Sequence, residues 1–340
     1  MNRRGATTTL PLVRVACLLR YARYLEAAGA PVGRLFARAG IPAVLLDHPA
    51  SAVPRPSAFR FAELACRAIE SEHLGLHVGL SSGLDDIGPF GDILQNSLTL
   101  DEYLRKAVSL YNLTITGQRL WLSEHGKEFR LNVSTAGGTG VAAYQSHLEA
   151  LVVTIIKLRE VAGAGWTPRE IGLAYRARES LPDMELFAGS RILRGTGESY
   201  VTFPRRLLAE HFPHAIGERS TCIPASPDGH PLPKGIGDAV RLQIETLLPA
   251  RAHPIETIAE TLNSSARSLQ RRLAQEGLTY SQLLAETRMR LAANWLKNTD
   301  MSVAEIAFDL GYTDASNFTR RFRQKTGVSP QAFREIARPV

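Results

Sequence analysis

"EIAFDLGYTDASNFTRRFRQKTGVSPQAF", residues 305–333, reads as two short helices with a break between them. Ile306, Ala307 and Leu310 recur at helical spacing, and Phe318 and Phe322, four apart, share one face of the second helix. Gly311 stands where the connecting turn needs a positive φ. Ser302 and Glu305 have the spacing of a capping box for the first helix, and Asp314 can cap the second. From Ser316 to Lys325 the second helix holds Arg320, Arg321, Arg323 and Lys325 and no acid. Solvated helices ordinarily mix signs, so a face of one sign points to an anionic partner.

The pattern occurs a second time, 48–50 residues upstream, in "TIAETLNSSARSLQRRLAQEGLTYSQLL", residues 257–284. Ile258, Ala259 and Leu262 match Ile306, Ala307 and Leu310; Leu269 and Leu273 match Phe318 and Phe322. Arg271 and Arg272 match Arg320 and Arg321, and Gly277 matches Gly327. Asn263 takes the place of Gly311, and Asn is the other residue that tolerates left-handed backbone. Ser265 takes the capping place of Asp314. Each copy is a helix-turn-helix.

In such a unit the second helix packs one stripe on its partner and can offer another to a DNA major groove. In the first copy Arg267, Gln270, Arg271 and Ala274 share the outer face; in the second, Ser316, Thr319, Arg320 and Arg323 do. Arg pairs bidentately with guanine and Gln with adenine, while Ser and Thr bond either polar edge. Arg272 and Arg321 flank the packed stripes, where phosphate is the expected partner, and Arg323 and Lys325 join that set. A solvated cationic helix in an all-α bundle is the competing reading of either copy alone; the matched pair favours DNA. "SQLLAETRMRLAANWLKN", residues 281–298, predicts a connecting helix with a stripe of Leu284, Thr287, Leu291 and Trp295. Recognition helices at about 265–276 and 315–325, held by that helix, would enter successive major grooves ~34 Å apart.

Residues 236–337, about 30% of the chain, resemble the DNA-binding domain of the AraC/XylS family of bacterial transcription regulators. The resemblance rests on "IETIAETLNSSARSLQRRL" and, more specifically, on "SVAEIAFDLGYTDASNFTRRFRQKTGVSPQAFR". It implies a dual helix-turn-helix with a linker helix. Carried over by position, it implies base reading by Arg267, Gln270 and Arg271, then by Ala315, Ser316, Thr319 and Arg320. Ala315 can offer only apolar contact, such as to a thymine methyl. "AGIPAVLLDHPASAVP", "HLGLHVGL" and "IGPFGDILQNSLTLDEYLRKAVSLYNL" resemble a subgroup whose N-terminal sensor is helical-plus-β rather than a cupin barrel. That implies an effector-binding or dimerisation domain.

The pattern of residues 1–220 agrees with an α+β domain, or two tightly joined lobes. Stripes at Leu12, Val15, Ala16, Leu19 and Ala22, at Phe59, Leu64, Ala65 and Ile69, and at Leu104, Ala107, Val108 and Tyr111 predict helices. "QRLWLSEHGKEFRLNVS" alternates on both sides of Gly126 and predicts a hairpin. A helix is expected over about 141–161, with strands at "EIGLAY" and "SYVTF". "TCIPASPDGHPLPKG", residues 221–235, has four prolines and two glycines and reads as a linker. The expected organisation is an α+β sensor domain at 1–220, the linker at 221–235, and an all-α dual helix-turn-helix DNA-binding domain at 236–340.

Bulk charge does not locate the function. Net charge is +7, of which the segment from Ile236 to Val340 carries +3 (14 Lys/Arg against 11 Asp/Glu). Cys17, Cys66 and Cys222 are odd in number and scattered, against both a disulfide framework and a thiolate metal cluster. Arg14 and Arg20 interrupt the N-terminal apolar run, so neither a secretory leader nor a membrane span is expected, and the cytoplasm fits.

Other motifs carry weaker chemistry. "GLSSG" fits G-x-S-x-G, but the stretch before Ser81 is helix-like rather than a strand, so a helix terminus is expected there instead of a hydrolase elbow. His73 and His77 are two ligands without a third, with one or both expected at a helix surface. "RGTGES" lacks a Walker lysine and reads as a loop between strands. His211 and His214 flank Pro213 as a conceivable pH-sensitive hinge, and Tyr144, His147 and Arg119 are candidates for a pocket beside helix 141–161, whose stripe core packing alone explains. No enzyme activity and no cofactor are expected. An enzyme fused to a DNA-binding tail would need a cysteine cluster that this chain lacks. The expected partners are double-stranded promoter DNA, RNA polymerase, an unidentified small-molecule effector and a second copy of the chain. A constitutive DNA binder whose N-terminal domain only dimerises is the alternative.

Overall fold

The computed structural model describes residues 10–81, 83, 89–137, 140–213, 232–233, 235–248 and 254–338. Most of the expected linker, and with it His214 and Cys222, lies outside the described residues. The chain divides into two compact units, one of Pro11–Leu232 and one that contains Pro233–Val340.

The first unit is α+β. It comprises β1 (Leu12–Arg14), α1 (Val15–Ala27), α2 (Val32–Ala39), β2 (Ala52–Pro54), α3 (Arg55–Ala68), α4 (Leu74–Ser81), α5 (Pro89–Gln95) and α6 (Leu100–Thr114). There follow β3 (Gln118–His125), β4 (Glu128–Thr135), α7 (Val141–Ala162), β5 (Glu170–Leu173), β6 (Arg191–Arg194) and β7 (Ser199–Pro204). The hairpin forms as its alternation predicts, with Gly126 at φ 65° between β3 and β4. The five-stranded sheet has the order β3-β4-β7-β5-β6, antiparallel except for β5 against β6. "RGTGES" is indeed the connection from β6 to β7.

α7 is buried on several sides because it is apolar nearly all round. Leu148, Leu151, Val152, Ile155 and Leu158 join the core with Leu131 and Val133 of β4 and Val201 and Phe203 of β7. Another side meets α4, and two glycines set that approach. A Cβ on Gly75 would stand 2.0 Å from the Gln145 carbonyl oxygen, and one on Gly79 would stand 2.9 Å from Val152 Cγ1.

Two readings of this unit need correction, and one strand was not foreseen. Leu12 lies in β1, so the buried stripe of α1 is Val15, Leu18, Tyr21, Ala22 and Leu25. "RILR" forms β6, a short edge strand whose two arginines are exposed and whose pattern is too short to register. His73 is buried at 4% exposure, because Nδ1 bonds the Tyr144 hydroxyl (3.1 Å) and Nε2 the Ser180 carbonyl (2.9 Å). His77 is half-buried and stacks on Tyr24 with ring centroids 5.6 Å apart. Ser81 ends α4, and its hydroxyl donates to the Val78 carbonyl at 3.2 Å.

The second unit is helical: α8 (Ile236–Leu247), α9 (Ile255–Thr261), α10 (Ala266–Gln275), α11 (Tyr280–Asn298), α12 (Val303–Asp309), α13 (Ala315–Thr326) and α14 (Pro330–Ala337). The repeat is structural. Asn263 (φ 50°) and Gly311 (φ 75°) turn the chain between α9 and α10 and between α12 and α13. Ser265 Oγ accepts from the Ser268 amide at 3.2 Å, and Asp314 Oδ1 from the Asn317 amide at 2.6 Å. Ser302 and Glu305 complete the capping box that opens α12. Leu269, Leu273, Phe318 and Phe322 are fully buried. Phe322 stacks edge-on against Phe333 of α14 at 5.5 Å. The connecting helix α11 departs from the single stripe expected of it. It buries Leu283, Thr287, Ala292 and Leu296, because α8, α12 and α14 all pack on it.

Among the described residues, no helix is long and apolar enough to cross a membrane.

Candidate nucleic-acid interface

With Leu269 and Leu273 turned inward, α10 leaves Arg267, Gln270 and Arg271 exposed on its outer side, and Arg272 half-buried beside the packed stripe. With Phe318 and Phe322 turned inward, α13 exposes Ser316, Arg320, Arg321, Arg323 and Lys325, and leaves Ala315 and Thr319 half-exposed. Ala315, Ser316, Thr319, Arg320 and Arg323 line one shallow concavity along α13. The structure thus brings Arg323 to the same side as the expected base readers, while Arg321 and Lys325 lie outside it.

Several arginines of this unit are held by acids. Arg241 pairs with Asp238 (2.8 Å) and Glu286 (3.3 Å), Arg290 with Glu245, and Arg338 with Asp300 (2.8 Å). Among the described residues, no ion pair to an acid engages Arg267, Arg271, Arg272, Arg320, Arg321, Arg323 or Lys325. Arg320 meets only the Asn317 side chain, at 3.5 Å. Acids therefore hold Arg241, Arg290 and Arg338, whereas the cations on the outer faces of α10 and α13 are left for another anion. A polyanion that releases counterions is the partner this arrangement suits.

The first unit contains a cavity of about 330 Å³, within the range of small-molecule sites. Its walls come from α1, α3, α6, α7 and the hairpin. Its lining is mostly apolar, with Gln118, Gln145 and Thr154 as buried neutral polar groups and one buried carboxylate. Glu149, buried on α7, lies 2.5 Å from Arg20 Nη2 and accepts a hydrogen bond from the Tyr21 hydroxyl at 2.7 Å. Burial, and then the neighbouring Glu149 carboxylate, hold the Tyr21 phenol well above its ordinary range. Nearer the end of α7, Lys157 pairs with Glu160 at 2.6 Å.

The expected pocket residues are elsewhere. Tyr144 and His147 project from other sides of α7: Tyr144 bonds His73, and His147 bonds Thr135 Oγ1 (2.8 Å) and Ser199 Oγ (3.1 Å). Arg119 is exposed and lies over the Trp121 ring at 5.0 Å. The sequence did carry a signal for the true lining. Glu149 is a lone acid in the apolar run "LEALVVTII", and an acid there needs a buried partner.

Residues 29–212 match the model of the arabinose-binding domain of AraC transcription regulators, and residues 258–336 match a helix-turn-helix domain model. The chain is 28% identical over 329 residues to Rv1395 of Mycobacterium tuberculosis, an uncharacterized HTH-type transcriptional regulator, covering 90% of this chain and 91% of that protein. It is 25% identical over 331 residues to the HTH-type transcriptional regulator VirS of the same species, covering 95% and 96%. The ornithine utilization regulator of Pseudomonas aeruginosa is 46% identical over 81 residues, 24% of each chain.

Proposed function

The chain belongs to the AraC family of transcription regulators, and from that premise we propose how it reads DNA and what governs it. α10 and α13 enter successive major grooves on one face of the duplex, ~34 Å apart. Arg267, Gln270 and Arg271 read one box. Ala315, Ser316, Thr319 and Arg320 read the other, with Ala315 limited to apolar contact. Arg272, Arg321, Arg323 and Lys325 anchor phosphates. Residues 236–340 act as the DNA-binding domain and residues 1–220 as the sensor, joined by the linker at 221–235. A small molecule bound in the first unit changes promoter affinity or activation.

One observation carries the DNA reading: among the described residues, acids pair with Arg241, Arg290 and Arg338, while the outward cations of α10 and α13 have no acid partner. The cavity favours effector control over a first unit that only dimerises. The test begins with selection of binding sites from random double-stranded DNA. Two boxes about one helical turn apart are expected. Inserting five base pairs between them should abolish binding, because two rigidly held helices cannot follow a half-turn rotation. Undiminished affinity after that insertion would remove the two-groove reading.

A further inference from the structure

Among the described residues, the charges that line the cavity cancel in pairs. Arg20 stands against Glu149, and Lys157 against Glu160. The two pairs lie about 12 Å apart along α7, taking 1.5 Å per residue from Glu149 to Lys157. The rest of the lining is mostly apolar and aromatic, including Phe59, Tyr103 and Tyr111, with neutral polar groups such as Gln118, Gln145 and Thr154. Lys157 also sits over the Tyr103 ring at 6.0 Å.

An ionised ligand is poorly served by such a lining. A carboxylate placed against Arg20 also meets the Glu149 carboxylate, and an ammonium placed against Glu149 also meets the Arg20 guanidinium. In a mostly apolar cavity either adds one uncompensated charge to a neutral set. An uncharged group meets neither objection. A hydroxyl or amide N–H can donate to Glu149, whose Oε2 retains acceptor capacity beyond the Tyr21 hydroxyl. Resting on the reading that the first unit senses a small molecule, we propose that its effector is an uncharged, largely apolar molecule with one hydrogen-bonding head directed at Glu149.

The probe is N-phenyl-1-naphthylamine, a neutral dye that brightens in apolar sites, titrated into the full chain at pH 7. Competition uses 1-octanol, octanoate and octylamine, which share a chain and differ in charge. Octanol is expected to displace the dye at a concentration at least tenfold below either ion. Equal or better displacement by octanoate or octylamine overturns the charge argument, and absence of dye binding overturns the site.

Charge-altering variants sharpen the result. Glu149→Gln leaves Arg20 in excess and should move the preference toward octanoate; Arg20→Gln should move it toward octylamine. Ala107→Trp, which adds bulk to the cavity wall without touching either ion pair, should abolish dye binding while DNA binding persists. Dye binding unchanged in Ala107→Trp places the dye elsewhere and overturns the proposal. DNA affinity with and without octanol is measured separately. Tight octanol binding with unchanged DNA affinity supports the pocket chemistry and refutes effector control, so the two readings fail separately.

Discussion

Arg288 of α11 lies over the ring of Tyr312, its guanidinium carbon 5.1 Å from the ring centroid, and its Nη2 reaches the carbonyl of Gly311 at 3.4 Å. Tyr312 in turn packs on Phe318 at 5.4 Å. The connecting helix therefore holds the turn of the second repeat and, through it, the base of α13. Burial pulls the Arg288 guanidinium below its ordinary range, and nearby Arg321 adds to the shift in the same direction.

Replacing that latch should loosen α13 without touching its outer face. Arg288→Met is expected to destabilise the second unit by about 1–2 kcal/mol, from one cation–π contact and one charged hydrogen bond. Urea melts followed at Trp295 on α11 would measure it. DNA affinity should fall by similar factors on cognate and scrambled sites. A melt that superimposes on the wild type refutes the latch.

The α4–α7 contact depends on a missing side chain. Gly75→Ala would set a methyl 2.0 Å from the Gln145 carbonyl oxygen, so the helices must separate. A loss of about 1–3 kcal/mol is expected from such overpacking. Gly33→Ala is the control: it lies in α2, and an added Cβ there has no heavy atom within 4 Å. It should be neutral or stabilising by about 0.4–1 kcal/mol. Equal thermal stability of the two variants would refute the steric argument.

The repeat was legible because each half states the same local rules twice: a cap, a residue able to take positive φ, and apolar residues four apart. Asn263 and Gly311 could be matched from sequence since φ > 0 restricts the choice of residue. The first unit was less legible, because its decisive features are non-local. β6 is recognisable only through its pairing with β5, 21 residues away. The stripe of α11 shifted because three helices share it, and a single-faced pattern cannot describe a helix buried on several sides. Tyr144 and His147 were polar residues on the right helix but on the wrong side of it. Their partners, His73, Thr135 and Ser199, come from distant segments that no spacing rule joins to α7.

His147 should impose an acid limb on stability. Burial depresses its folded pKa to about 4, against about 6.5 when unfolded. Above pH 6.5 both states are neutral there and the residue adds no pH dependence. Between pH 6.5 and 4 the unfolded chain binds a proton that the folded chain does not, so stability falls as pH falls. The loss is about 2 kcal/mol by pH 5. His147→Gln removes this contribution, so wild type should lose more stability than the variant between pH 7.5 and 5. Parallel urea-melt series for the two proteins would refute it.

The last prediction separates reading from anchoring on the two recognition helices. Arg271 and Arg320 hold equivalent outward places, and Arg272 and Arg321 hold equivalent flanking ones. If the first pair reads bases, Arg320→Ala should weaken the selected site by about 1–3 kcal/mol and relax preference at one or two base pairs. Scrambled DNA should lose much less. If the second pair anchors phosphates, Arg321→Ala should weaken both DNAs by similar factors and reduce the salt slope by about one, because one fewer counterion is released. Arg271→Ala and Arg272→Ala should repeat the contrast at the other box. Anisotropy titrations at several salt concentrations, on selected and scrambled duplexes, decide it. Equal losses on both duplexes for Arg320→Ala would transfer that residue to the phosphate set. Unchanged binding for all four variants would mean that these helices do not face DNA.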